Sequence, residues 1–337
     1  MPAELRALSV FHPAPPHSLE AMTAFGTFAR RRGVRRLWIG QSLHVESQLA
    51  LAGLAARLPG LPLGTAVALA PLRHPYQAAV EARSLGVMSG VPYVAGYGPG
   101  ALDLQQRLLA APYDHPLRAM GDYVSVMRRL LDGEAVEHRG EYHTTRYELP
   151  SMPGAPKVEV GLGVLRPGMA RTAGQVADVA ITWLAPYRYI GQTLMPALQR
   201  GATEKGRQAP RIASVVHAAV RKPGRRVAEA ALAAVGPHLR SLHYSDMLRR
   251  AGVAVDPADP ERGAAALVDS DAFVSGTPDE IADQLRRYRE HGVDEIIVNV
   301  SGVLLTEGAR AALSDLDAII GAYGDGETAG GSCPPRA

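Results

Sequence analysis

A single cysteine, Cys333, stands near the C-terminus of the 337 residues. One thiol can form neither an intramolecular disulfide nor a cysteine-based zinc site. That usage suits a reducing compartment, and a soluble cytoplasmic protein is expected. No apolar stretch is long enough to span a bilayer. The N-terminus lacks the apolar core of a signal peptide, and Pro13, Pro15 and Pro16 follow soon after it. Charge of one sign is also lacking. Thirty-six Lys and Arg against 33 Asp and Glu leave a net charge of +3. The basic residues are dispersed, which gives a nucleic-acid surface little support. No His-x-His follows the first apolar run, and the last run ends on Asn299 rather than Asp, so a metal-dependent hydrolase is disfavoured and no metal is expected. A Gly-x-Ser-x-Gly elbow is absent too, which leaves nucleophilic hydrolysis without a candidate.

What is present is a repeating unit. Short apolar runs occupy residues 7–11, 36–41, 63–69, 92–98, 157–163, 178–184, 212–220 and 295–300. Most are rich in Val and Ile or bounded by Gly or Pro, as buried parallel strands are. Helical patterns lie between them: 18–32 with Ser18 as cap, 46–57, 74–87 opening at Pro75, 117–131, 167–176 and 187–206. Thr277-Pro278-Asp279-Glu280 reads as a capping box, and the last helix is expected over 306–320. Strands alternating with helices in this number predict an α/β protein, a (β/α)8 TIM barrel rather than a doubly wound sheet. Two connections are long: 99–116 after the fourth strand, and 221–275 after the seventh, with helical stretches near 227–235 and 242–251. Residues 1–323 form one domain in this reading. Residues 324–337, poor in apolar side chains, are predicted disordered.

In such a barrel the strand-to-helix turns carry the chemistry. The second strand delivers Gln41, Ser42 and His44 to one of them. His44 is the best-placed proton donor or acceptor; the competing reading is a helix cap. His12, at the end of the first strand, and Trp183, at the end of the sixth, are candidates to line the substrate pocket. Trp183 also reads as a large core residue, and His217 reads as a packed strand histidine. Tyr93 to Gly100 ends the fourth strand in a glycine-rich loop, but no helix follows at the spacing of a dinucleotide fingerprint. Gly161-Leu162-Gly163 leads into Arg166-Pro167-Gly168-Met169. This suits a phosphate at a helix N-terminus; close packing with a solvated Arg166 is the other reading.

Four stretches together resemble the luciferase-like monooxygenase superfamily, especially its deazaflavin-dependent branch. They are Leu37-Trp38-Ile39-Gly40-Gln41-Ser42, Leu63 to Pro75, Gly161 to Asp178, and Gly276-Thr277-Pro278-Asp279-Glu280-Ile281-Ala282. The resemblance runs from about Leu5 to Tyr323. It implies a barrel with coenzyme F420, or alternatively FMN, at its C-terminal mouth. Ala70, Pro71 and Leu72 match the backbone behind the ring. Tyr97, Gly98, Gly161, Gly163, Arg166, Pro167, Gly168 and Met169 match the ribityl-phosphate side. The chain departs from the family at Met88-Ser89-Gly90-Val91-Pro92, which lacks the usual Arg. It also has no match for the glutamate that serves sugar-phosphate-oxidising members. The function implied is hydride transfer to a small or peptidic substrate. Reduction of an activated C=C or C=N bond in natural-product tailoring is preferred, with dehydroalanine in a ribosomal peptide as one candidate. His44 would handle the proton, while His12, Gln41, Ser42 and Trp183 would meet the substrate. The alternatives are an FMN-dependent monooxygenase and a non-catalytic cofactor-binding barrel. A homodimer is the superfamily habit.

Overall fold

The structure, a computed structural model, describes residues 7–42 and 44–325. Residues 326–337, with Cys333 and most of the stretch predicted disordered, lie outside the described residues. The strands are β1 (Leu8–Phe11), β2 (Leu37–Ile39), β3 (Leu63–Thr65), β4 (Tyr93–Gly98), β5 (Val158–Gly163), β6 (Val179–Trp183), β7 (Arg211–Val220) and β8 (Glu295–Asn299). Each pairs in parallel with the next, and β8 pairs with β1, which closes the barrel. Every predicted apolar run coincides with one of these strands.

Alternate residues of each strand face opposite sides. Leu8, Val10, Tyr93, Tyr97, Val160 and Leu162 pack outward against the helices. Phe11, Trp38, Val94, Ile181, Val215 and Ile297 fill the barrel. Space inside is short. A Cβ on Gly64 would lie 2.7 Å from the Trp38 ring, and one on Gly96 would strike the Thr65 carbonyl. These glycines make room for large neighbours within the strands.

The barrel floor is polar and centred on Glu295, which is fully buried. Its carboxylate accepts from Ser9 Oγ (2.6 Å), Trp38 Nε1 (2.7 Å), Arg36 Nε (3.3 Å) and Arg211 (2.7 Å). Arg35 lies 3.3 Å away. Arg211 also grips Glu159 through two bonds of 3.0 and 2.8 Å. One carboxylate thereby ties β8 to β1, β2 and β7, and through Arg211 to β5. Burial pushes the Glu295 carboxyl up, but Arg36, Arg211 and Arg35 outweigh it and hold it below the usual 4.5.

Helix starts follow their caps. Ser18 accepts from Ala21 N, Glu46 from Gln48 N and Leu49 N, His74 from Tyr76 N, and Thr277 completes its capping box with Glu280. Several elements differ from expectation. The predicted 187–206 helix contains a π-helical turn, Ile190–Leu194, ahead of Met195–Glu204; Pro196 cannot supply the N–H that a continuous α-ladder needs. The final helix is two, Ser301–Glu307 and Ala309–Asp325, broken at Gly308 with φ 86°. An antiparallel hairpin, Val136–Arg139 with Thr144–Tyr147, lies outside the barrel and was not predicted. The connection after β4 holds a short helix, Leu102–Leu108.

The insertion after β7 contains Val227–Leu239, Leu242–Arg250 and Pro260–Val268. It returns through a strand, Phe273–Gly276, that pairs with His217 to Val220. Its departure is pinned by Asp315 of the last helix. That buried carboxylate accepts from Val220 N (2.9 Å) and Arg225 (2.5 Å) and pairs with Lys222 at 2.7 Å. Among the described residues no helix is long and apolar enough to cross a membrane.

Glu295→Ala leaves Arg36 and Arg211 buried without their anion, and a loss of about 3–5 kcal/mol in urea unfolding is expected. The sign with pH follows from the lowered carboxyl. Its stabilisation is complete above the unfolded value of 4.5 and disappears as pH falls through the lower folded value. The variant is expected to lose that part of the acid sensitivity, which urea titrations between pH 7 and 3 measure.

Candidate functional site

The C-terminal ends of the strands form the mouth. After β2 the chain is held by its own polar side chains. Ser47 Oγ donates to the Gly40 carbonyl (2.9 Å) and accepts from Ser42 N (2.9 Å). Ser42 Oγ accepts from the amides of His44 and Val45 at 3.1 and 3.2 Å. Gln41 donates to the Ser42 carbonyl (2.8 Å) and accepts from Leu69 N (3.2 Å). Gln41 and Ser42 thus brace the turn, and their polar atoms are committed to backbone. His44 is exposed on that turn, which uses its backbone N–H.

After β3 the backbone carries a cis peptide at Ala66–Val67. Ala66 N donates to Ile39 O (2.9 Å), and Val67 O accepts from Gln41 N (3.2 Å). The Val67 side chain lies across two glycines: a Cβ on Gly98 would come within 2.9 Å of it and one on Gly163 within 3.4 Å. Beside these glycines stands Val67, three residues upstream of Ala70-Pro71-Leu72. Those three residues form a 3-10 turn that packs on the Leu102–Leu108 helix, with Ala70 buried and Leu72 exposed. Arg73, next in line and partly buried, lies between Glu46 (3.0 Å) and Glu81 (3.5 Å) and so joins the β2 and β3 turns.

Two candidates point away from the barrel axis. Tyr97 packs outward on Tyr123, with ring centroids 5.3 Å apart, and its hydroxyl meets Gln48 at 2.9 Å. Only its backbone borders the mouth, because Val94, Gly96 and Gly98 take the inward positions. His12 follows inward-facing Phe11, so its ring turns to the helix layer, 5.2 Å from Phe25, and its Nδ1 donates to Ala14 O (2.7 Å). Gly161 lies deeper than the mouth, where a Cβ would sit 2.7 Å from Ile181 Cδ1, so its smallness serves packing.

Past β5, Arg166 precedes the helix Pro167–Val176, whose first turn has no side-chain cap. Gly168 and Met169 stand in that turn. Arg166 is half-exposed and pairs with Asp246 at 3.3 Å; Asp246 also accepts from Arg250 at 2.9 Å. Farther round the rim, Trp183 meets Phe11 edge to face at 5.1 Å and His217 at 5.0 Å. His238, from the insertion, stacks on Trp183 at 5.4 Å. His217 is bound by Asn299, 3.1 Å away on β8. Burial pushes His217 down to about 3 and His238 down to about 4, so both rings are neutral near pH 7. Sequence reasoning passed over Val67 and His238, and used Asn299 only as an argument against a metal. The regular inward phase of β7 and β8, 213–215–217 and 295–297–299, is the signal that places His217 beside Asn299.

The family model for luciferase-like monooxygenases matches residues 6–295. The chain belongs to that family. Within it, an F420-dependent glucose-6-phosphate dehydrogenase of Intrasporangium calvum is 26% identical over 287 residues, 78% of this chain and 80% of that protein. An uncharacterised Mycobacterium tuberculosis protein is 25% identical over 201 residues. The match spans 59% of that relative's length and 57% of this chain. Among solved structures, the coenzyme F420 dependent tetrahydromethanopterin reductase of Methanopyrus kandleri superposes with a TM-score of 0.73 at 20% identity, covering 92% of this chain and 97% of that one. The FMN-bound oxygenating constituent of the Pseudomonas putida 3,6-diketocamphane monooxygenase gives 0.72 at 16% identity, covering 96% and 99%. At these identities the two structures establish the shared barrel.

The depressed histidines set a second pH dependence. Below pH 6.5 the unfolded chain takes up protons that the folded mouth refuses, so stability falls with pH from 6.5 towards about 4. Each ring contributes up to about 1.4 kcal/mol per pH unit in that window. His238→Phe is expected to reduce the slope by one proton's worth, measured by urea unfolding at pH 7, 6 and 5.

Proposed function

We propose that this chain is an F420-dependent oxidoreductase that reduces an activated C=C or C=N bond in a small or peptidic substrate. The observation that carries the reading is the Val67 side chain at the mouth, lying across Gly98 and Gly163 of the two neighbouring strands. Side chains there are small or absent, so backbone and one valine offer a flat apolar bed of the kind a tricyclic ring needs. The orphaned Trp183 Nε1 and His217 Nδ1 lie buried at the same end of the barrel, in keeping with a mouth built to receive a polar guest. The F420-dependent relatives named above support the choice of deazaflavin.

A reduced deazaflavin, when bound, supplies a hydride. The chain's own contribution is binding, orientation and proton handling. Gln41 fixes the backbone at Leu69 and keeps the bed in shape. The uncapped amides of Gly168 and Met169, with Arg166, would hold phosphate. Asp246 and Arg250 bring one negative and one positive charge beside Arg166, so the cluster keeps a net positive charge for an anion. Residues of the insertion and the 99–116 connection cover the substrate and exclude water. His44, exposed at the rim, would exchange the accompanying proton with solvent. A peptide carrying dehydroalanine is one substrate within this class, and a homodimer is the assembly proposed.

Titration with F420, followed by deazaflavin fluorescence, is expected to saturate at lower concentration than titration with FMN. Binding of neither would remove the reading; preference for FMN would turn it towards the monooxygenase side of the family. Arg166→Ala is expected to weaken F420 binding roughly tenfold, the equivalent of one charge-assisted hydrogen bond. His44→Ala is expected to slow turnover about a hundredfold with cofactor affinity unchanged. Unchanged turnover takes His44 out of proton transfer.

A further inference from the structure

Three buried ring nitrogens of the mouth, on His217, Trp183 and His238, have no partner among the described residues, and two of them are identifiable as N–H donors. Asn299 defines the first. Its Oδ1 accepts the Ser301 amide at 2.9 Å, so its Nδ2 is the group that faces His217. His217 Nε2, 3.1 Å away, is therefore an acceptor. A neutral imidazole that accepts at Nε2 carries its proton on Nδ1. That Nδ1–H is buried and has no partner among the described residues. The second donor is Trp183 Nε1, which can only donate and is likewise buried and unpartnered. The two rings touch edge to face, 5.0 Å between centroids.

The other tryptophan shows the contrast. Trp38 Nε1 donates to Glu295 at 2.7 Å. A buried donor left unmade costs about 1–3 kcal/mol. Two such donors side by side, at the catalytic end of a barrel whose floor is fully paired, point to an acceptor that comes from outside. The rings around them, Phe11, Phe273 and the neutral His238, supply no cation. Burying a carboxylate there would be costly, whereas a neutral carbonyl oxygen matches two neutral donors.

We propose that Trp183 Nε1–H and His217 Nδ1–H together bind the carbonyl oxygen of a substrate whose reducible double bond is conjugated to that carbonyl, an enone or an α,β-unsaturated amide. This rests on the oxidoreductase reading above and narrows its substrate class. In the reaction the β-carbon gains a hydride and a new C–H bond forms, while the reduced deazaflavin is oxidised. The C=C π pair moves so that charge collects on the carbonyl oxygen, and the proton that His44 exchanges with solvent completes the α-carbon. Both donors meet the oxygen where that charge develops, and they are held in place before it does. Asn299 is a positioning residue: it fixes the His217 tautomer.

The test uses nitrogen-15-labelled full-length protein. Its two tryptophans give two indole N–H resonances, and Trp183→Phe assigns them. Isophorone, a hindered enone, is titrated against trimethylcyclohexene, the same kind of ring without oxygen. The Trp183 indole proton is expected to move downfield saturably with the enone and not with the hydrocarbon, while Trp38, held by Glu295, stays. His217→Phe is expected to weaken enone binding about tenfold, one hydrogen bond's worth. A Trp183 resonance unmoved by the enone, or moved equally by the hydrocarbon, overturns the proposal. If His217→Phe does not fold, the unsubstituted protein's indole shift decides alone. No cofactor is needed for this readout, so failure of F420 binding and failure of the donor pair are seen separately.

Discussion

The Glu295 carboxylate is the interaction on which the rest of this barrel depends. A closed sheet has to join its last strand to its first, and here a buried anion at the start of β8 takes hydrogen bonds from β1, β2 and β7 together. Desolvating that anion is expensive, and Arg36, Arg211 and Arg35 offset the cost. The arrangement also sets register. A slip of one residue in β2 would turn Trp38 and Arg36 to the wrong face and leave Glu295 unpaired. With the floor fixed, the layers above it are determined, and the positions of the strand ends at the mouth follow.

The barrel was legible because its signals are local. An apolar run bounded by Gly or Pro, a cap such as Ser18 or Thr277, and a proline at a first helical position each act within a few residues of where they stand. The elements that escaped are those with mixed signals. Val136–Arg139 and Thr144–Tyr147 alternate without an apolar face, since the hairpin lies outside the barrel wall. The break at Gly308 falls within a sequence that otherwise reads as helix.

The mouth was less legible, and for two distinct reasons. Tyr97 and His12 sit in the right place along the chain but on the outward phase of their strands; the alternation around Val94 and Phe11 carries that information. His217 and Asn299 are different. Neither stands out in its own segment, and their pairing beside Trp183 exists only because β6, β7 and β8 are neighbours in space. Likewise Asp178, inside a stretch that carries the family resemblance, proves to hold the frame: its carboxylate accepts from Val160 N (2.9 Å) and pairs with Arg128. A motif can mark a family through its scaffold as readily as through its site.

The length of β7 has a mechanical consequence. It continues past the barrel and carries the returning strand Phe273–Gly276 on the same segment from which the insertion departs. Asp315 and Glu307 grip Arg225 at that departure. Both roots of the insertion are thus welded to one wall, so it behaves as a fixed jaw rather than a flap. The 99–116 connection is anchored differently: Gln105 donates to the Pro99 carbonyl and accepts from the Tyr113 amide, while Leu102 and Leu108 face solvent. A jaw rooted in the barrel wall keeps His238 at a fixed height over Trp183.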